Sequence, residues 1–197
     1  VLTTGTFLGG IIHLGSTQTE GGRFGEGPSN DLSLQLKSYG FKLGRLKTGT
    51  PPRLDYSSIN WTKLQVQNGD KDPKYMSFLT KQTQAEQVPC YITHTNKLCH
   101  EIIKDNLTSS ATYNGNITGT GPRYCPSIED KINRFYEKTS HQIFLEPEGL
   151  DSNLVYPNGI STSLPEEVQD KFIKSIFGLE NAKIHRYGYA IEYDYVD

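Results

Sequence analysis

Apolar and polar positions change period several times along the chain, and each change marks an element. Val1 to Thr4 reads as a strand, and Gly21-Gly-Arg-Phe-Gly-Glu-Gly27 as a flexible glycine loop. Ser29 or Asn30 then caps a short helix carrying Leu32 and Leu36, Gly40 stops it, and Phe41 to Lys47 returns as a strand. Asn96 predicts a helix through Leu107, with Leu98, Ile102, Ile103 and Leu107 on one face. Ile128, Ile132 and Phe135 fall at helical spacing behind Ser127. Gln142 to Leu145 reads as a strand and Glu146 to Gly149 as a turn. Ser163-Leu-Pro-Glu166 is a capping box opening a helix with Leu164, Val168, Phe172 and Ile176, closed near Gly178. Lys183 to Val196 gives one or two strands. The order of elements predicts an α/β fold.

Thr48-Gly-Thr-Pro-Pro-Arg53 is the expected domain boundary. Residues 54–87 are polar and read as an irregular excursion anchored by Trp61 and Tyr75. The length, 197 residues, suits one large domain, or one domain and part of another. Both ends read as strand-like runs, so the chain is expected to be a piece of a longer protein. Hydrophobic residues make up 35%, enough for a core, while 19 Gly and 10 Pro favour a loop-rich protein over a helical bundle. No apolar run approaches the roughly 20 residues of a membrane span, and no basic-then-apolar leader is visible. A net charge of −2 excludes a generally basic coat. Polyanion contact would fall to local clusters such as Arg45, Lys47 and Arg53, or Arg123, Lys131 and Arg134. Three cysteines are an odd, sparse set that suits a reducing compartment.

The stretch Gly121-Pro122-Arg123-Tyr124-Cys125-Pro126-Ser127-Ile128-Glu129-Asp130-Lys131 sets a thiol between two prolines, beside a guanidinium and before a capped helix. A cation and a helix N-terminus both favour thiolate, the nucleophilic form. A small buried cysteine in a proline-shaped turn is the structural alternative. Cys90, held after Pro89 at a strand start with His94 near in sequence, is a second candidate thiol. Cys99 reads as an ordinary helix residue. The Cys90, His94, Cys99, His100 spacing is not a standard zinc framework, so no metal is expected. Glu146 and Glu148 read as solvated turn carboxylates rather than an acid–base pair, and Gly21 to Gly27 matches no phosphate-loop pattern.

A series of runs then occurs in one order: Leu2-Thr-Thr-Gly-Thr-Phe7, Gly44-Arg-Leu-Lys-Thr-Gly-Thr-Pro-Pro-Arg53, Pro89-Cys-Tyr-Ile-Thr-His-Thr-Asn96, Gly121 to Lys131, Ile143-Phe-Leu-Glu-Pro-Glu-Gly149 and Tyr156-Pro-Asn-Gly-Ile-Ser-Thr162. Together they resemble the MnmG (GidA) family of FAD-dependent tRNA uridine 5-carboxymethylaminomethyl modification enzymes, nearly end to end. The resemblance implies part of a Rossmann-like FAD-binding domain (residues 1–48), an inserted mixed α/β, nicotinamide-associated domain (49–187) and a return strand (188–197). It implies FAD and NADH as cofactors, methylenetetrahydrofolate as one-carbon donor, and glycine or ammonium as co-substrate. It further implies the MnmE GTPase and tRNA as partners, a homodimer and a cytoplasmic or mitochondrial location. By the same resemblance Ser29 is an FAD contact, and Gly121 to Lys131 with Ile132, Asn133, Arg134 and Phe135 is the nicotinamide-binding stretch. Cys125 and, less securely, Cys90 correspond to cysteines with a catalytic role. A thiolate can add to C6 of a uracil and raise nucleophilicity at C5. Attack on the base, its protonation, or shaping of the nicotinamide site all remain open for Cys125. A flavin disulfide reductase would want closely spaced cysteines, and a non-catalytic RNA-binding module a more basic balance. The family's amino-terminal G-x-G-x-x-G fingerprint and its helical domain are not in this sequence.

Overall fold

The computed structural model describes residues 1–83, 85–121 and 125–197. Its strands are β1 (Ile11–Leu14), β2 (Thr17–Glu20), β3 (Leu43–Thr50), β4 (Arg53–Asp55), β5 (Gln65–Gln67), β6 (Cys90–His94), β7 (Gln142–Pro147), β8 (Leu154–Asn158), β9 (Ile184–Arg186) and β10 (Tyr189–Val196). Its α-helices are α1 (Asn30–Ser38), α2 (Lys97–Asp105), α3 (Ile128–Arg134) and α4 (Glu166–Lys174). The strands form a four-stranded sheet, β2-β1-β10-β3, and a six-stranded sheet, β5-β6-β7-β8-β4-β9. Every strand pairing described within them is antiparallel.

The two sheets meet where the chain crosses between them twice. Thr50 at the end of β3 pairs with Tyr189, and Arg53 at the start of β4 pairs with Arg186. Pro51 and Pro52 lie between and offer no N–H to either ladder. Gly188 sits at the returning crossing, where a Cβ would come within 2.8 Å of the Thr50 carbonyl. The buried Gln169 side chain holds that glycine from both sides, donating to its carbonyl at 2.9 Å and accepting from its N–H at 2.7 Å.

Alternation along β7 buries Ile143 and Leu145, and Val155 and Leu54 join them from β8 and β4. Against these pack Cys99 and Ile103 of α2, Ile128 and Ile132 of α3, and Val168, Phe172 and Ile173 of α4. Burying a side chain such as Phe172 contributes on the order of 1.5–3 kcal/mol. No helix among the described residues is long and apolar enough to cross a membrane.

Several elements differ from the sequence reading. Val1 to Thr4 forms no strand: Val1 and Leu2 are exposed, and no described strand pairs with them. Asn96 caps α2 as expected, accepting from the Cys99 N–H at 2.9 Å, but the helix turns Leu98 outward and buries Cys99, His100 and Ile103. Ser163 does not cap α4, which begins after Pro165, because the Ser163 hydroxyl is taken by Ser110 and Thr112. Phe135 ends α3 exposed. Within the polar excursion Trp61 does anchor, packed between Tyr56 and Tyr91. Tyr75 does not; its hydroxyl bonds to Thr83, and it lies on the surface.

Candidate functional site around Cys125

The site is built on β3, whose run Lys47-Thr48-Gly49-Thr50 carries no large apolar side chain. The segment before the cysteine loop lies along this strand, with Leu46 bridged to Thr120 and the Lys47 N–H donating to the Thr120 carbonyl at 3.1 Å. Glu192 of β10 holds the same segment from the other side, accepting from the Thr118 N–H at 3.0 Å and its hydroxyl at 2.9 Å. Burial opposes the charge of Glu192. The Gly119 N–H, the Thr118 hydroxyl and the Arg45 guanidinium outweigh it and keep the carboxyl below its ordinary value.

Beyond the loop, the half-buried Cys125 places Sγ 3.0 Å from the Thr48 hydroxyl. Ser127 then caps α3 in a reciprocal box: its hydroxyl accepts from the Asp130 N–H and its own N–H donates to Asp130 Oδ2, each at 3.1 Å. Lys47 reaches the same oxygen at 3.2 Å, and the Tyr113 hydroxyl donates to Oδ1 at 3.1 Å. Burial opposes ionisation of Asp130, but Lys47 and the Ser127 N–H hold its carboxyl below the usual value. Burial and the neighbouring Asp130 push the Tyr113 phenol up to about 12. The helix start behind the thiol is therefore fixed to β3 by an ion pair and to the preceding turn by a phenol.

A cavity of about 10 Å³ lies against the thiol, lined by Cys125, Thr48, Thr112, Ser161, Thr162 and Ser163 among others. Thr48 and Gly49 also border an open cleft of about 470 Å³ that carries Arg23, Arg53 and Arg186 with Glu148 and Tyr189. Arg53 pairs with Glu148 and lies 4.4 Å from the Tyr156 ring centre. Thr48 thus stands between the enclosed thiol and the open, arginine-bearing cleft.

The nicotinamide-binding expectation for residues 121–135 divides in the structure. Pro122, Arg123 and Tyr124 lie outside the described residues, and with Arg123 so does the expected guanidinium beside the thiol. Gly121 is exposed and packs near the Lys47 side chain; Pro126 is half-buried. Ile128, Glu129 and Ile132 point into the interior, and Asp130 is committed to Lys47, Tyr113 and Ser127. Lys131 donates to the Gly159 carbonyl at 2.7 Å, while Asn133, Arg134 and Phe135 face solvent. Among the described residues of this stretch, Cys125 and the cap Ser127 line the cavity, and the helix beyond them does not.

Cys90 opens β6 opposite Gln67, away from the Cys125 cavity. Burial and Glu146 push its thiol up, the opposite of activation. His94 is four residues along the same strand, roughly 13 Å away, so it does not act on Cys90. Cys99 is interior, and burial pushes its thiol up to about 12. Ser29 precedes α1, its N–H bonded to the Phe7 carbonyl at 2.7 Å, and its hydroxyl makes no capping bond. Sequence reasoning missed Thr48, Thr112, Ser163 and Glu192. The one local signal was a strand of small hydroxyl residues where β-branched apolar ones are usual.

The fold and the site define a mixed α/β protein that carries a single cysteine loop at the seam between two antiparallel sheets. The chain belongs to the MnmG (GidA) family: the model described as "Glucose inhibited division protein A" matches residues 1–197. It is 56% identical over its whole length to the tRNA uridine 5-carboxymethylaminomethyl modification enzyme MnmG of Bdellovibrio bacteriovorus, covering 31% of that protein. It superimposes on Aquifex aeolicus GidA in two crystal forms. In form I the TM-score is 0.89 at 53% identity, covering 98% of this chain and 33% of that one. In form II the TM-score is 0.87 at 50% identity, covering 98% and 31%. The chain spans about a third of the length of these relatives.

Proposed function

We propose that this chain is the cysteine-bearing part of a flavin-dependent enzyme that places a carboxymethylaminomethyl group on C5 of the tRNA wobble uridine. The observation that carries this reading is the end-to-end 56% identity to an MnmG. The boundary the double crossing marks supports the proposed division into a partial FAD-binding domain (1–48), an inserted domain (49–187) and a return strand (188–197).

Cys125 is the proposed nucleophile. Its thiolate adds to C6 of the uracil and leaves C5 electron-rich, ready to take the one-carbon unit. Thr48 orients the sulfur from β3, while Lys47, Asp130 and Ser127 keep the start of α3 from moving as the loop engages a base. The arginines of the adjoining cleft suit the phosphates of an RNA strand. Cys90 has a weaker case, because nothing beside it favours its thiolate.

The residues present fit the implied cofactors at two places. Ser29 keeps a half-buried hydroxyl uncommitted at the head of α1, which suits an FAD contact. The loop at Gly121 and Cys125 suits the nicotinamide of NADH, whereas the buried face of α3 does not. Bound flavin supplies the redox chemistry of the one-carbon unit, with methylenetetrahydrofolate as donor. The MnmE GTPase as partner, tRNA as substrate, a homodimer and a cytoplasmic location complete the proposal.

The test is replacement of Cys125 by Ser in the full-length protein, with mass spectrometry of wobble nucleosides from cells that carry only this variant. Loss of 5-carboxymethylaminomethyluridine is expected; wild-type content overturns the assignment of Cys125.

A further inference from the structure

Glu129 is fully buried at the first turn of α3, two helical positions past the serine cap, with its carboxyl against Thr162 and Ser163, which line the cavity beside the thiol. Its Oε1 accepts from the Ser163 N–H at 3.0 Å and from the Ser110 hydroxyl at 2.9 Å, while Oε2 has no partner. No cation among the described residues is paired with it. A buried carboxyl without a counter-charge is expensive to keep for packing alone.

The hydroxyls attached to it form a line. Ser110 Oγ lies 2.9 Å from Ser163 Oγ, which lies 3.1 Å from Thr112 Oγ1. Because Ser110 spends its proton on Glu129, it accepts from Ser163, and Ser163 in turn accepts from Thr112. The line therefore has a direction fixed by the carboxyl. Thr112 and Ser163 both border the small cavity that holds Cys125, whose volume is at the lower limit for one water molecule.

We propose that Glu129 is a positioning residue for Cys125, exchanging the thiol's proton along the chain Thr112–Ser163–Ser110. As the thiol ionises to attack carbon, a water molecule in the cavity takes the S–H proton and hands one of its own to the Thr112 hydroxyl. Each hydroxyl hands its own proton on, and the Glu129 carboxylate ends as the acid. When the C–S bond breaks, the same steps reverse and the thiol is restored, with no oxidant or reductant involved. Burial holds a proton on Glu129 more firmly than on an ordinary carboxyl, which narrows its gap to a thiol. The charged neighbours do not compete: Lys47 and Asp130 are paired with each other, and Tyr113 stays neutral. Tyr193 faces Cys125 from β10, and burial pushes its phenol up. His100 of α2, which packs on α3, is bonded to Thr95.

The inference rests on Cys125 as the reacting thiol, and its test does not require turnover. Iodoacetamide labelling of each cysteine in the full-length protein is followed peptide by peptide from about pH 5 to about pH 10, which spans ordinary carboxyl and thiol values. Two groups sharing a proton titrate as a pair, so wild-type Cys125 should show two steps. Glu129→Gln should show one, with the Cys90 profile unchanged. Thr112→Val, isosteric and at the thiol end, should also lose the lower step and keeps the test available if Glu129→Gln does not fold. Superimposable Cys125 profiles for wild type and both variants overturn the inference. Wild-type wobble nucleosides in Cys125→Ser, with the two-step profile intact, instead remove the catalytic assignment and leave the coupling standing.

Discussion

The hydroxyl of Thr48 lies 3.0 Å from the sulfur of Cys125, so a strand of one sheet touches the reactive atom of a loop that leads to a helix of the other. Thr48→Val keeps the shape of that side chain and removes the contact. The thiol is then free to turn toward the cleft, and labelling of native Cys125 should rise by up to about fivefold, the population factor of a ~1 kcal/mol hydrogen bond. Unchanged labelling would mean that the contact does not orient the sulfur.

Cysteine labelling should also separate Cys99 from Cys125. Burial pushes Cys99 up to about 12, so at pH near 8 the native protein should leave it unmodified while Cys125 reacts. Cys99 should label only after denaturant is added. Its modification in folded protein would contradict its place in the core.

Ser127→Ala removes one arm of the capping box and should lower stability by about 1 kcal/mol, seen as a lower urea midpoint with unchanged slope. Ser29→Ala is the control. Ser29 occupies the same position ahead of α1 but makes no capping bond, so flavin-free protein should lose no more than ~0.5 kcal/mol. Equal losses would show that position, not the hydrogen bond, sets the effect.

His13, His100 and His141 are each pushed below the usual imidazole range, chiefly by burial. Glu192 lies 3.9 Å from His13, too far for a hydrogen bond, and burial outweighs its charge. A folded-state value below the unfolded one means that the unfolded chain binds more protons, so stability rises with pH in that window. Stability should therefore fall as pH drops below about 6.5, the unperturbed imidazole value. His13→Gln should flatten part of that fall, read as the difference between urea midpoints at pH 7 and at pH 5.5. An unaltered difference would exclude His13 as a contributor.

The α/β class and most elements were legible from period and punctuation. Asn96 and Ser127 announced α2 and α3, and the run Thr48 to Arg53, read as a domain boundary, is where the chain passes from one sheet to the other. The Gly121–Lys131 motif pointed to the thiol, but not to its surroundings. Thr48, Thr112 and Ser163 come from three separate segments, and nothing local to any of them reports that they converge. Ser163 was misread for the same reason: a serine three before a glutamate fits a capping box, and only tertiary contact with Ser110 and Thr112 redirects its hydroxyl. His94 failed as a partner for Cys90 because closeness in sequence becomes distance once the backbone is extended.

The central place of β10 has a consequence for how the molecule assembles. It pairs with β1 on one side and β3 on the other, and it is the last of the described elements in the chain. During synthesis β1 and β3 therefore wait without their shared neighbour until the six-stranded sheet and its helices have left the ribosome. The six-stranded layer can close around its own core first, and the first-made sheet is completed last by a long-range pairing of the slow kind. A stalled or truncated chain would then present two unpaired strand edges, β1 and β3, facing one gap.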